Sequence, residues 1–357
     1  MKKLFVLLLA FAMIISFAAC GGRNTEKGKG TYEIAMVSDV AQLMDGSFNQ
    51  YVFEGVKQFA EENKMTYQYY QPANGTEAAN ADRIDAMNKA IEGGAKVIVT
   101  TGFLQEAALK AVVPENPEVQ FIFVDGWDMG FENLFGISYR EEQAGYLAGY
   151  AAVMEGFTKL GFSGGGGGFT PSCCKYGYGF AQGANDAAGE KGIRVDMNYS
   201  WLYGTTFTES DELKTMLSGW FNDGVEVCFM CGGTMFDSGI AAASEAGGKI
   251  IGVDVDQSAG HEDIVITSAM KGLTSSVKAA LAKLYDEGMY GGSRVLGAAD
   301  DAVGIPTDTW SLKNWTVDEY KALFRKVQSG EIKIDNASDV ADPTGKLANV
   351  NIHFIDE

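Results

Sequence analysis

The chain has 357 residues but only two histidines, His261 and His353, and six prolines. Any hydrolytic base would have to be one of those two rings, and neither sits in a supporting motif. Basic residues are also scarce, 28 Lys and Arg against 47 Asp and Glu, for a formal charge of -19, and they form no basic run. Such a surface repels a phosphate backbone, which excludes nucleic acid as a partner. No closely spaced array of oxygen ligands suggests a calcium loop. The glycine run at 164–168 lacks the Lys-Ser/Thr ending of a phosphate loop, so it gives no support to nucleotide hydrolysis.

What is present first is an export signal. Met1-Lys2-Lys3 is a basic start, residues 4–17 are an apolar run too short for a comfortable bilayer span, and Phe17-Ala18-Ala19-Cys20 closes it. Small residues before a cysteine are the pattern of a lipoprotein cleavage site, with Cys20 as the acylated residue; a plain secretory signal is the alternative. Loss of 1–19 removes Lys2 and Lys3 and takes the formal charge from -19 to -21. Residues 20–30 then read as a lipidated cysteine and flexible tether, which holds the protein on a membrane surface without crossing it.

From residue 31 onward, strand-length apolar runs alternate with amphipathic helix-length segments, which predicts a parallel α/β body. Strands are expected at 33–38, 66–70, 96–100 and 120–124, with helices at 48–63, 78–92 and 105–113. A helix at 141–155 opens a second set, with strands at 159–162, 194–201, 226–230 and 249–253 and helices at 178–190, 211–221 and 238–246. Two similar doubly wound halves place a ligand in the crevice between lobes, at the carboxyl ends of the strands.

Several strand-end stretches carry chemistry. In DGSFNQYVFEGV, at 45–56, Ser47 and Gln50 form a capping box that starts a helix at Phe48. Phe48 serves equally as a core staple or as a ligand platform; beside Asn49 and Asp45 its ring suits a flat, polar-edged heterocycle. IIGVDVDQS, at 250–258, is a buried strand ending in Asp254, a carboxylate able to accept two sugar hydroxyls, and Asp256, which caps or braces the hinge. Gly232 and Gly233 make either a tight turn or a place where a ligand nears the backbone. Cys173, Cys174, Cys228 and Cys231 read as apolar packing residues ahead of a metal site or disulfide. Gly161-Phe-Ser163-Gly-Gly165 matches a nucleophile elbow, which keeps a serine hydrolase using Ser163 as a remote alternative.

Together these stretches resemble the basic membrane protein family of bacterial lipoproteins, which includes purine nucleoside receptors of ABC importers. The resemblance covers most of 32–305. It rests on Asp39 with DGSFNQYVFEGV, TTGF at 100–103, REEQAGYLAGY at 140–150, YGYGFAQG at 176–183, CGGT, GVDVDQS and ITSAMK at 266–271. It implies a two-lobed type I periplasmic-binding-protein fold, with 31–138 plus 262–298 in the first lobe and 139–261 plus 299–357 in the second. Crossings are implied near 137–141, 254–260 and 299–305. The tail, with a helix at 317–329, should pack on the second lobe.

The resemblance also implies that Phe48, Asn49 and Tyr176 hold a base and that Gly232, Gly233, Asp254 and Lys271 hold a ribose. Two departures concern the base edge: Met44-Asp45 stands where relatives often have an Asp pair, and Glu106 is only the nearest acid after the GF turn. The expectation is a lipid-anchored, monomeric, non-enzymatic receptor without cofactor or metal, which closes on a nucleoside, a purine one, and passes it to an ABC permease. The alternative is a sugar or other small metabolite in the same fold, for uptake or signalling.

Overall fold

The computed structural model describes residues 32–40 and 42–356; the leader, Cys20 and the tether lie outside them. From the amino end the chain forms β1 (Ile34–Val37), α1 (Phe48–Asn63), β2 (Tyr67–Tyr70), α2 (Asn80–Glu92), β3 (Val97–Thr101), α3 (Glu106–Val112), β4 (Gln120–Val124) and β5 (Leu134–Tyr139). There follow α4 (Glu141–Glu155), β6 (Lys159–Gly164), α5 (Pro171–Lys191), β7 (Val195–Ser200), α6 (Asp211–Asn222), β8 (Val227–Cys231), α7 (Met235–Ala246), β9 (Lys249–Asp254) and β10 (Val265–Lys271). The last elements are α8 (Leu273–Glu287), β11 (Gly292–Leu296), β12 (Val303–Gly304), α9 (Val317–Gln328) and β13 (Val350–Ile355).

The strands form two sheets, ordered β11-β5-β4-β3-β1-β2 and β12-β10-β9-β8-β6-β7-β13. Among the described strands only β12 runs antiparallel to its neighbour. Stripped of edge additions, the sheets share one order: β2-β1-β3-β4-β5 matches β7-β6-β8-β9-β10. Each therefore reverses direction between its first and third strands, the switch point at which open parallel sheets leave a crevice. The apolar runs of β1, β3, β4 and β8 are buried along their whole length, as parallel strands covered on both faces must be.

The chain passes between sheets three times: from β5 into α4, from β10 into α8, and from β11 to β12. The second passage differs from expectation. A crossing at 254–260 would put residues 265–271 in the first lobe, but β10 pairs in parallel with β9, so the chain crosses only after Lys271. Its return then packs α8 on α1, where Gly55 meets the Thr274 carbonyl and Val277, and adds β11 beside β5. The carboxyl-terminal segment joins the second sheet through β13 on β7.

The helices α4 and α5 explain two of the motifs. Gly145 and Gly149 of one face Gly179 and Gly183 of the other; a Cβ on Gly145 would fall 2.2 Å from the Tyr176 carbonyl oxygen and one on Gly183 1.9 Å from that of Tyr146. Lacking side chains there, the two backbones touch, so α5 is held deep enough to aim its first turns at the crevice. That helix begins seven residues before the expected 178, at Pro171 in the N1 position after the extended Thr170. The Gly, Ser and Cys residues ahead of Tyr178 conceal the start in the sequence.

Candidate functional site

A cavity lies between the carboxyl-terminal edges of the two sheets. The first sheet supplies Asp39 and Asp45 after β1, Phe48 and Asn49 on α1, Gly102 after β3 and Asp125 after β4. The second supplies Thr170, Cys173 and Tyr176 around the start of α5, Phe207 after β7, Cys231 to Gly233 at β8, Asp254 on β9 and Lys271 on β10. Both switch points thus open into one space.

The entrance to α1 departs from the local rule. Ser47 occupies the N-cap position but makes no capping bond; its hydroxyl donates to Asp254 Oδ2 at 2.7 Å, across the crevice. Asp45 caps the helix instead, with Oδ1 accepting from the Ser47 and Gln50 amides at 2.9 and 3.1 Å and Oδ2 from the Asn49 amide at 3.0 Å. The expected capping box between Ser47 and Gln50 is therefore absent, because a buried carboxylate draws the hydroxyl away. Asp45 lines the cavity, but its oxygens serve the helix. Asn49 is fixed as well: its Nδ2 donates to Asp45 at 3.2 Å and its Oδ1 accepts from Thr101 at 2.6 Å.

Lys271 is the electrostatic centre. Its Nζ lies 2.7 Å from Asp125 Oδ2, 3.5 Å from Asp254 Oδ1 and 3.9 Å from Glu141 Oε1, so acids from both sheets and from the first crossing share one ammonium. Burial pulls the Lys271 ammonium down, but Asp125, Asp254 and Glu141 together hold it well above its ordinary value. Burial nonetheless leaves the Asp254 and Glu141 carboxyls raised. Lys175 braces Glu141 at 2.9 Å and also donates to the Tyr139 carbonyl. Asp125 and Asp254 both adopt left-handed backbone conformations, φ 57° and 67°, which non-glycine residues hold only where surrounding contacts enforce them.

Around this cluster lie aromatic faces. The Lys271 Nζ sits 4.6 Å from the centroid of Phe48, 5.4 Å from that of Tyr139 and 5.7 Å from that of Tyr176. Phe48 is partly buried, between the two alternatives the sequence leaves open: it packs against the core and still lines the cavity. Phe207, also in a left-handed conformation at φ 61°, leans on the glycine turn. Added side chains on Gly232 and Gly233 would meet it at 2.9 and 2.4 Å, so the turn is bare because this ring and its backbone occupy the space. Asp39 presses on Gly102, where a Cβ would fall 1.9 Å from Asp39 Oδ2. Burial pushes the Asp39 carboxyl up to about 7. Three buried polar atoms of the lining have no protein partner among the described residues: Asp125 Oδ1, Thr170 Oγ1 and Tyr176 OH. Buried groups of this kind are nearly always hydrogen-bonded, which marks them as positions for a ligand or solvent to satisfy.

Eight of the nine expected ligand residues line this cavity, and Glu106 does not. It opens α3 with its side chain 37% exposed and pairs with Lys110 at 2.6 Å one turn on, a local helix pair on the outer surface. Asp39, Asp125, Phe207 and Thr170 line it from outside the expected set. The first two have a legible signal: VSD after β1 and FVDG after β4 repeat the apolar-run-then-Asp pattern of GVD in β9. Phe207 has none, since its loop carries no motif. Ser163 Oγ is buried without a hydrogen-bond partner, while His261 packs on Phe236 and His353 pairs with Asp196 at 3.3 Å, so no base supports it. Among the described residues no helix is long and apolar enough to cross a membrane.

Residues 32–338 match the family model described as Bmp, ABC transporter substrate-binding protein PnrA-like. The chain is 26% identical to the ABC transporter nucleoside-binding protein BmpA of Lactococcus lactis subsp. cremoris, over 89% of this chain and 91% of that one. It is 28% identical to basic membrane protein A1 of Borrelia garinii subsp. bavariensis, over 85% and 88%. A solved ABC transporter solute-binding protein from Aeropyrum pernix K1 superposes with a TM-score of 0.74 at 22% identity, covering 85% of this chain and 93% of that one.

Proposed function

The chain belongs to the Bmp family of PnrA-like ABC transporter substrate-binding proteins, and on that premise we propose that it captures a nucleoside, a purine one, between its lobes and delivers it to an ABC permease. The observation that carries this reading is the placement of a partly exposed aromatic ring, Phe48, on one lobe and the Asp254 carboxylate with Lys271 on the other, facing one cavity. A planar base lies against Phe48, with Phe207 lining the same cavity from the other lobe, and base stacking of this kind is worth about 1 to 3 kcal/mol. Asp254 accepts ribose hydroxyls, a charge-assisted bond in a desolvated place. Tyr176 OH and Asp125 Oδ1 complete the polar set. Asp39, rather than Glu106, is the acid offered to the base edge in this reading, because it lines the cavity and Glu106 does not.

The relative from Lactococcus lactis named as nucleoside-binding supports the ligand class. As a substrate-binding protein the chain acts by capture and release, and no bond is broken. Its place is the extracytoplasmic side of a membrane, and we propose that Cys20 carries the lipid that holds it there, as a monomer. Replacement of Cys20 by Ser should release the protein into the medium; retention in the membrane fraction would refute the anchor.

Equilibrium dialysis against adenosine, guanosine, inosine, cytidine and free pentoses tests the ligand. Retention of at least one purine nucleoside, with pentoses ineffective as competitors, is expected. Retention of a pentose alone would assign the crevice to sugars.

A further inference from the structure

The cavity wall contains a pair of thiols that ligand capture does not use. Cys173 lies in the first turn of α5 and Cys231 is the last residue of β8; both line the cavity, and Cys173 Sγ approaches the Cys231 carbonyl oxygen at 3.9 Å. Their neighbours in sequence are turned elsewhere. Cys174 Sγ donates to the Gly168 carbonyl at 3.3 Å, and Cys228 packs against Met230 within the sheet, its sulfur 3.8 Å from Met230 Sδ. The four buried, free cysteines thus divide into two packing residues and one pair that meets at the ligand space.

We infer that Cys173 and Cys231 are a reactive dithiol, open to small-molecule disulfides that enter through the crevice, and that they close to an internal disulfide. The face of the membrane on which this family works is one where disulfides form and persist. The exchange balances without any other reagent. Cys173, as thiolate, attacks one sulfur of the small disulfide; a mixed disulfide forms and one small thiol leaves. Cys231 then loses its proton to solvent and attacks the Cys173 sulfur, the second small thiol leaves, and the two electrons given up by the pair reduce the reagent to two thiols. Cys173 takes the first step because it is the more accessible of the two from the cavity, 7% exposed against 1% for Cys231. The bond joins the start of α5, which carries Tyr176, to the strand end that continues into Gly232 and Gly233. Oxidation therefore reshapes the wall on which the ligand rests.

The test uses the mature chain and 4,4′-dithiodipyridine, followed by intact mass after denaturing alkylation. The expected product has lost two hydrogens, releases two thiopyridones per chain and is restored by dithiothreitol. Closure should vanish in Cys173→Ser and Cys231→Ser and persist in Cys174→Ser and Cys228→Ser. A disulfide attached to a large polyethylene glycol, too bulky for the crevice, should react at least tenfold more slowly. A stable mixed disulfide in place of closure, closure that survives in Cys231→Ser, or equal rates with the bulky reagent would each overturn the inference. None of these readouts depends on which solute the protein carries.

Discussion

Ser47 and Asp254 are 207 residues apart in sequence, yet the Ser47 hydroxyl donates to Asp254 Oδ2 at 2.7 Å. The bond joins the entrance of α1 in one lobe to the end of β9 in the other, and Gln257 reinforces it by donating to the Gly46 carbonyl at 3.4 Å. A residue placed to cap its own helix instead links two lobes.

Ser47→Ala removes the linking hydroxyl and deprives a buried carboxylate of a donor. Hydrogen bonds to charged groups contribute about 1.5 to 3 kcal/mol. Ligand release, followed by stopped-flow fluorescence, should quicken by roughly tenfold or more on that basis, while Ser47→Thr keeps the wild-type rate. Equal release from Ser47→Ala and wild type would show that the bond does not hold the lobes together.

Lys271→Met should destabilise the fold itself. It leaves Asp125, Asp254 and Glu141 buried without their shared cation, and breaking a buried pair from one side costs about 3 to 5 kcal/mol. Lys278→Met, which removes only a surface pair with Glu62, should change stability by less than about 1 kcal/mol. Urea unfolding monitored by tryptophan fluorescence separates the two. A small effect from Lys271→Met would mean that the cluster is wetter than its burial indicates.

Asp39 makes stability depend on pH in a definite direction. Its carboxyl ordinarily titrates near 3.8 but burial pushes it up to about 7, so between those values the folded chain binds more protons than the unfolded chain. Its contribution is therefore greatest at the acid end, declines as pH rises towards about 7 and is constant above that. Every tenfold difference in proton affinity between the two states corresponds to about 1.4 kcal/mol. Asp39→Asn, compared with wild type by chemical denaturation at a series of pH values, should gain in relative stability as pH rises through this window. A pH-independent difference between the two proteins would contradict the assignment.

Phe48→Ala and Phe207→Ala should each weaken nucleoside binding by about tenfold or more, from the 1 to 3 kcal/mol that base stacking contributes. Glu106→Gln should leave binding unchanged, because its carboxylate lies on the outer surface with Lys110. Titration of the three variants distinguishes cavity residues from the acid that sequence position alone suggests.

Much of this is legible in the sequence. Buried runs such as VIVTT and QFIFV can only be covered strands, and α1 spans the expected 48–63 although the capping box that marks its start is not formed. Phe48 and Asp254 stand out because they follow strands. The rest depends on partners distant in sequence. That β10 pairs with β9 rather than returning to the first sheet is decided by sheet packing, to which the ITSAMK stretch gives no local clue. Ser47 satisfies every capping rule and still turns to Asp254, a choice set by a buried charge on the other lobe. The glycines of EEQAGYLAGY and YGYGFAQG carry their meaning only where the two helices touch.

The account comes down to whether Asp254 grips the hydroxyls of a base-bearing sugar. Calorimetric titration of wild type and Asp254→Ala with inosine and with its 2′,3′-dideoxy counterpart measures this directly. Wild type should bind inosine at least tenfold more tightly than the dideoxy compound, and Asp254→Ala should bind the two alike. Equal affinities in wild type, or an undiminished preference in Asp254→Ala, would contradict it.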